Sequence, residues 1–89
     1  MRSVHAEQAF RRDLKHLQRR GAEMRLLYRT LTKLEVGIPL SHRARPHLLQ
    51  GEWQGYWECH IANDWLLVYT FTETVLTLVR TGSHADLFE

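Results

Sequence analysis

The chain has 89 residues, of which 44% are hydrophobic and 25% charged, and a net charge of +2. This is the composition of one ordinary globular domain, and it excludes a disordered tail, a coiled coil and a collagen-like repeat. The longest apolar run, Trp65 to Tyr69, is too short to span a bilayer, and the first residues lack the apolar segment of a secretory signal. The single cysteine, Cys59, can form neither an internal disulfide nor a thiolate cluster. We therefore expect a single domain, residues 1–89, in the reducing cytoplasm.

The charge is divided unevenly along the chain. Residues 1–45 contain eleven Lys or Arg residues and four acids, a net +7, whereas residues 46–89 contain one cation, Arg80, and six acids, a net −5. Ten of the twelve cations are arginine, which favours forked contacts with phosphate oxygens. The basic half therefore predicts a surface for phosphates or for an acidic partner, the alternative being a solvated helix face.

The basic half predicts one short strand and two helices. Residues 3–5 can form a strand, and apolar residues then recur with helical spacing over residues 6–20 and again over residues 22–36. Gly21 separates the two helices, and Gly37 ends the second. The apolar stripes consist of Phe10, Leu14 and Leu17 in the first helix and of Leu27, Leu31 and Leu34 in the second. We expect the two helices to form an αα-hairpin.

The second half predicts a long loop followed by an antiparallel meander. Residues 37–51 are rich in glycine and proline, and a loop of this length in a compact domain is usually functional. Strands are predicted over residues 53–61, 65–71 and 75–80, with a polar tail over residues 81–89. The middle strand is continuously apolar, as expected of a strand that is buried on both faces. The predicted fold is α+β, with the helical hairpin packed on one face of a three- to four-stranded antiparallel sheet.

Histidine is the most unusual feature of the composition, with six in the chain. His47 lies in the long loop, His60 ends a predicted strand next to the turn that carries Asp64, and His84 follows the last strand. A meander can bring these residues to one rim of the sheet. The alternatives are structural or exposed histidines, or a zinc site, although the spacing matches no short zinc motif.

Two imidazoles and a carboxylate suit the cleavage of RNA without a metal ion. Imidazole titrates near pH ~6.5, so at neutral pH it can take the proton of a 2′-hydroxyl or give one to the leaving 5′-oxygen. The phosphorane between these steps needs nearby cations, which Arg80 and arginines of the basic half can supply. The sequence thus predicts a ribonuclease site.

Cys59 and the aromatic residues have simpler explanations. Cys59 precedes His60, but neighbours on a strand point to opposite faces, so we expect a buried and inert thiol. Aromatic residues can stack on bases, but at strand positions in a small domain they more often form the core. These residues are Trp53, Tyr56, Trp57 and Trp65. Phe88, in the polar tail, either docks the tail or stacks on a base.

Three segments of the chain resemble one known family. They are residues 49–61, which end in Cys-His-Ile, residues 64–69, which begin with Asp-Trp, and residues 80–88, which read Arg-Thr-Gly-Ser-His-Ala-Asp-Leu-Phe. In this order they resemble the YafQ branch of the RelE/ParE toxins, which are the toxin halves of bacterial type II toxin–antitoxin pairs. The two amphipathic helices also fit, so the resemblance covers nearly the whole chain.

The resemblance implies a microbial-ribonuclease-like, RelE-like fold and ribosome-dependent cleavage of mRNA in the A site, without a metal or other cofactor. The residues carried over by match are His47, His60, Asp64 and His84 for catalysis and Trp65 and Phe88 for support and substrate contact. Arg80 is expected to bind substrate as well. One departure is Pro46, which stands before His47 where the family usually has an acidic residue.

The resemblance also implies partners. We expect a cognate acidic antitoxin of the DinJ or RelB type, in a hetero-oligomer that binds operator DNA through the antitoxin, together with the ribosome and its mRNA. No membrane partner is expected. The alternatives are a non-catalytic member of the superfamily that acts by binding, as gyrase inhibitors do, and a metal-dependent hydrolase.

Overall fold

The computed structural model describes residues 1–88, which form three α-helices and five β-strands. Their order is β1 Ser3–Ala6, α1 Gln8–Arg19, α2 Met24–Val36, β2 His47–Leu48, β3 Trp57–Ala62, β4 Trp65–Phe71, β5 Val75–Gly82 and α3 His84–Phe88. Short 3-10 turns at His42–Ala44 and Gly51–Trp53 flank β2. None of the helices in residues 1–88 is long and apolar enough to cross a membrane.

The five strands form one mixed sheet in the order β1-β5-β4-β3-β2. Strands β2 to β5 pair antiparallel, but β1 runs parallel to β5, with Ser3 opposite Val75 and Ala6 opposite Leu78. The prediction of three or four antiparallel strands was therefore wrong, both in the number of strands and in the direction of the first. The four residues of β1 are mostly exposed, so the sequence shows no alternation of apolar and polar residues there that would predict the neighbouring strand.

Both predicted helices are present, and they contribute to one core on one face of the sheet. Helix α1 lies against β5, and α2 lies against β3. Each begins about two residues later than predicted. Gly37 follows α2 with a φ of 91°, a left-handed conformation that glycine adopts at no steric cost and that ends the helix.

The core has two parts, because side chains alternate between the two faces of each strand. Helix residues such as Phe10 and Leu27 pack on one face with strand residues such as Cys59 and Leu67. A smaller cluster forms on the other face around Leu66, Val68, Val79 and Leu87, with Leu49, Trp53, Tyr56 and Phe88 against it. Strand β4 is therefore buried on both faces, which confirms the prediction from its apolar run.

Residues 37–56 and the tail contain structure that the sequence pattern did not show. Strand β2 lies inside the predicted loop, and β3 begins at Trp57 rather than at residue 53. The tail forms α3, whose start is fixed by a reciprocal pair of hydrogen bonds between Ser83 and Asp86. The bond that the Ser83 backbone N–H donates to the Asp86 carboxylate is the largest cause that lowers the pKa of Asp86 below its usual value. The short elements frame one end of the sheet.

Candidate active site

The candidate site lies where β2, β3, the β3–β4 turn and α3 meet. His60 is half-buried near the end of β3, and His47 pairs with Glu58 across the β2–β3 register. Asp64 occupies the turn with a φ of 53°, and His84 is the first residue of α3. All four residues predicted to be catalytic are thus carried by neighbouring elements at this end of the molecule.

Arg45 connects the two histidines of the β2–β3 side. Its backbone carbonyl accepts a hydrogen bond from Nδ1 of His47 at 2.9 Å. Its guanidinium Nη2 donates to Nδ1 of His60 at 3.3 Å, and because arginine has no acceptor, this nitrogen of His60 must be unprotonated. Arg45 itself holds a left-handed φ of 45°. One loop residue therefore sets the position of two imidazoles.

Glu58 is a buried carboxylate within this group. Its side chain is only 10% exposed, and Oε1 lies 3.2 Å from Nε2 of His47. Both ring nitrogens of His47 therefore face acceptors, the Glu58 carboxylate and the Arg45 carbonyl, which fixes the orientation of the ring. The sequence analysis did not single out Glu58 or Arg45.

His60 is held in its neutral form at a lower pH than an ordinary histidine. Partial burial is the largest cause that lowers its pKa, and the positive charges of Arg45 and of His47 act in the same direction. Only Glu58 raises the pKa of His60. A histidine that is neutral at neutral pH is able to accept a proton.

Asp64 and His84 form a second pair. Oδ1 of Asp64 accepts a hydrogen bond from the backbone N–H of His84 at 3.1 Å, across twenty residues of sequence. The ring of His84 lies 5.2 Å from the ring of Phe88, one turn further along α3. The turn that follows His60 therefore anchors the helix that carries His84.

A basic cleft opens from the site. It has a volume of about 820 Å³, and its walls come from α2, the loop after α2 and the β3–β4 turn. His60 and Asp64 line one end of it. Four cationic side chains and only one carboxylate line it, and the cations are Arg29, Lys33, Arg43 and Arg45. This arrangement attracts a polyanion, so phosphates are the natural ligands of the cleft.

The family assignment rests on the whole chain. The family described as bacterial toxin of type II toxin–antitoxin system, YafQ, matches residues 2–89. This chain belongs to the YafQ family. It is similar to the curated mRNA interferase toxin YafQ of Escherichia coli K12, with 36% identity over 88 residues that cover 98% of this chain and 96% of the relative.

Solved YafQ structures share the fold. The crystal structure of YafQ from Escherichia coli BL21(DE3) is 34% identical, covers 100% of both chains and superposes with a TM-score of 0.94. In the crystal structure of the Escherichia coli DinJ–YafQ toxin–antitoxin complex, the matching chain is 36% identical, with coverage of 99% and 98% and a TM-score of 0.91. The resemblance read from the sequence is confirmed.

Arg80, which was also predicted to serve this YafQ-family site, lies on β5 and is paired with α1. Its guanidinium forms two hydrogen bonds with the carboxylate of Asp13 on α1, at 2.6 and 3.1 Å. The side chain is 26% exposed, and the bonds to Asp13 are the main cause that raises its pKa. Binding of substrate by Arg80 stays a prediction; its bonds to Asp13 use Nε and Nη2 of the guanidinium.

Two aromatic residues predicted to serve the site are parts of the packing in the YafQ-family fold. Trp65 is 8% exposed, and its indole Nε1 donates to Oγ1 of Thr81 at 3.0 Å. Phe88 is half-buried with its ring centroid 5.8 Å from that of Trp53. Trp65 is therefore buried next to Asp64, whereas Phe88 keeps part of its surface exposed beside His84. Their contacts with substrate stay predictions.

Cys59 plays no part in the chemistry of this site. It is fully buried on the face of β3 opposite to His60, as predicted. Burial raises the pKa of its thiol to about 12, and the negative charge of Glu58 adds to the effect. The thiol is therefore uncharged and inaccessible at neutral pH.

Proposed function

We propose that this YafQ-family chain is the toxin of a type II toxin–antitoxin pair and an endonuclease that cleaves mRNA on the ribosome. The curated relative of 36% identity bears the name mRNA interferase. The observation that carries the proposal is the grouping of His47, His60, Asp64 and His84 at one end of the sheet, beside a cleft rich in cations. No step of the proposed reaction requires a metal or cofactor.

The reaction divides between the two pairs of residues. His60, neutral because of its lowered pKa, or Asp64 removes the proton of the 2′-hydroxyl, whose oxygen then attacks the adjacent phosphorus. The bond from phosphorus to the 5′-oxygen breaks, and His84 protonates that oxygen. The products are a 2′,3′-cyclic phosphate and a free 5′-hydroxyl. His47, whose ring is oriented by the Arg45 carbonyl and by Glu58, helps to bind the phosphate in the pentavalent state.

The finer predictions of fold and location belong to the same proposal. A RelE-like, microbial-ribonuclease-like architecture fits a sheet that carries helices on one face and a catalytic rim at one end. The helical hairpin is expected to form part of that architecture. A cytoplasmic location fits a substrate that is mRNA in the act of translation.

The partner of the toxin is an acidic antitoxin. One chain in the crystal structure of the Escherichia coli DinJ–YafQ complex matches this chain. This match supports a DinJ-like or RelB-like protein as the partner. The net charge of +7 on residues 1–45 suits a polypeptide of opposite sign. We expect a toxin–antitoxin hetero-oligomer that binds operator DNA through the antitoxin.

Cleavage of mRNA on ribosomes tests the proposal. Purified wild type, His60→Ala and His84→Ala proteins are incubated with ribosomes that carry a defined mRNA, and new 5′ ends are mapped by primer extension. Each substitution is expected to slow cleavage about 10²-fold or more, because each removes one proton transfer. His5→Ala is the matched control, since His5 is exposed on β1 at the far edge of the sheet, and it should cleave like wild type. Wild-type protein that yields no new 5′ ends would instead support a toxin that acts by binding alone.

A further inference from the structure

We infer that Arg45 is a guanidinium that binds the scissile phosphate. This role of Arg45 rests on the proposed function, because it requires an RNA phosphate at the site. Three observations on the chain support it: the position of Arg45, its lack of a carboxylate partner and the hydrogen bond to His60.

Arg45 is the arginine that touches the candidate catalytic residues. Its backbone carbonyl holds His47, its guanidinium lies 3.3 Å from Nδ1 of His60, and it lines the same cleft as Asp64. The planar guanidinium can give two parallel hydrogen bonds to two oxygens of one phosphate. An arginine placed here is within reach of a phosphate that His60 also reaches.

Arg45 is also free to change partners. The ion pairs formed within residues 1–88 engage Arg20, Arg25 and Arg80, but they do not include Arg45. Arg45 is exposed, and its guanidinium contacts an unprotonated ring nitrogen, Nδ1 of His60. A phosphate is a much better acceptor for a guanidinium than a neutral imidazole, because the bond is assisted by charge on both sides.

The contact with His60 couples phosphate binding to catalysis. While the guanidinium donates to Nδ1 of His60, the lone pair of that nitrogen is occupied. When the guanidinium turns to the phosphate, Nδ1 becomes free to accept a proton. No bond to Arg45 forms or breaks apart from hydrogen bonds, and the proton of the 2′-hydroxyl passes to the histidine. Arrival of the phosphate thus releases the base that acts beside it.

The kinetic test uses Arg45→Ala, Arg45→Lys and the matched control Arg25→Ala, with toxin in excess over ribosomes that carry a defined mRNA. Arg25 is exposed near the start of α2, pairs with Glu23 and does not line the cleft. Arg45→Ala is expected to lower the maximal cleavage rate about 10²-fold or more with little change in the half-saturating toxin concentration. Arg25→Ala is expected to leave the maximal rate unchanged. Lysine at position 45 should restore part of the rate, since it keeps the charge but not the fork.

Other outcomes distinguish failure of this inference from failure of the proposed function. If His60→Ala abolishes cleavage but Arg45→Ala retains the wild-type maximal rate, Arg45 does not bind the scissile phosphate. If wild-type protein does not cleave mRNA, the proposed function fails instead. Titration of His60 in the free protein, followed by nuclear magnetic resonance, measures the effect of its contact with Arg45 and does not depend on mRNA cleavage. Arg45→Ala should raise the pKa of His60. If the variant unfolds at the wild-type temperature and the pKa of its His60 is unchanged, the coupling is overturned.

Discussion

Glu58 is a charged residue on a strand, and its charge acts on both histidines of the β2–β3 side. It is 7% exposed, its carboxylate lies 3.2 Å from Nε2 of His47, and it is the one group that raises the pKa of His60 against three causes that lower it. A buried carboxylate that contacts one imidazole and tunes another is a positioning residue.

We expect Glu58→Gln to lower the pKa of His60 further, because the amide keeps the shape of the side chain but removes the negative charge. The measurement is a titration of the His60 ring followed by nuclear magnetic resonance. The acid limb of cleavage, where His60 becomes protonated and ceases to act as base, should move to lower pH, opposite in sign to the effect of Arg45→Ala. Glu52→Gln, exposed in the turn before β3, is the control and should move neither quantity. A raised pKa in the Glu58 variant would contradict the assignment.

The sequence was sufficient to find candidate residues that stand out by amino-acid type. It was insufficient to find those that stand out only by their burial or their contacts in the fold. Histidines and the aspartate of a turn stand out by type alone. Glu58 occupies a polar position in an alternating strand, which normally indicates solvent, but the cluster around Leu66 and Val68 covers that face. Arg45 is one of ten arginines, and no periodic pattern distinguishes a loop arginine that reaches a histidine.

Helix α1 and strand β5 are tied together by one carboxylate. Asp13 receives the fork of Arg80 and the backbone N–H of Thr81, the residue whose hydroxyl accepts from Trp65 and donates to the carbonyl of Leu66. This chain of hydrogen bonds runs from the surface of α1 into β4. Asp13 therefore supports two strands as well as its own helix.

We expect Asp13→Asn to lower the free energy of unfolding by about 1–3 kcal/mol, because hydrogen bonds to charged groups in partly buried positions contribute about that much. Urea denaturation at neutral pH measures the change. The matched control is Glu23→Gln, whose pair with Arg25 is exposed on both sides and should change the stability by less than about 0.5 kcal/mol. Equal effects of the two substitutions would show that Asp13 does not tie the elements.

Long periodic elements were predictable from the sequence, and short ones were not. The helical spacing of apolar residues located α1 and α2 to within about two residues, and the apolar run located β4. Strand β2 has two residues and α3 has five, too few to show a period. Both depend on tertiary contacts, β2 on its pairing with β3 and α3 on the hydrogen bond that the His84 backbone N–H donates to Asp64.

At the scale of the whole molecule, the uneven charge of the sequence becomes a division between helices and sheet. The basic half forms β1, the two long helices and the loop that borders the cleft, whereas the acidic half forms β2 to β5 and α3. The cleft with its four cations lies along the junction. Ribosomal RNA and mRNA approach such a surface through their phosphates.

Association with ribosomes should therefore weaken steeply as salt rises. Each cation that neutralises a phosphate releases counterions, so the logarithm of the association constant falls with the logarithm of the salt concentration. Binding is measured over a series of potassium chloride concentrations at fixed magnesium, with cleavage blocked by His84→Ala. Adding Arg29→Ala should make the slope shallower, because Arg29 is an exposed cation of the cleft. Affinity that does not respond to salt would rule out an interface built on these charges.

The parallel pairing of β1 with β5 has a consequence for the order of events during synthesis. The first strand finds its neighbour only when residues 75–78 have been made, and the helix with His84 is the last described element of the chain. Because a domain generally folds as a unit, the growing chain can neither complete its sheet nor place His84 beside Asp64 before these late residues have been made.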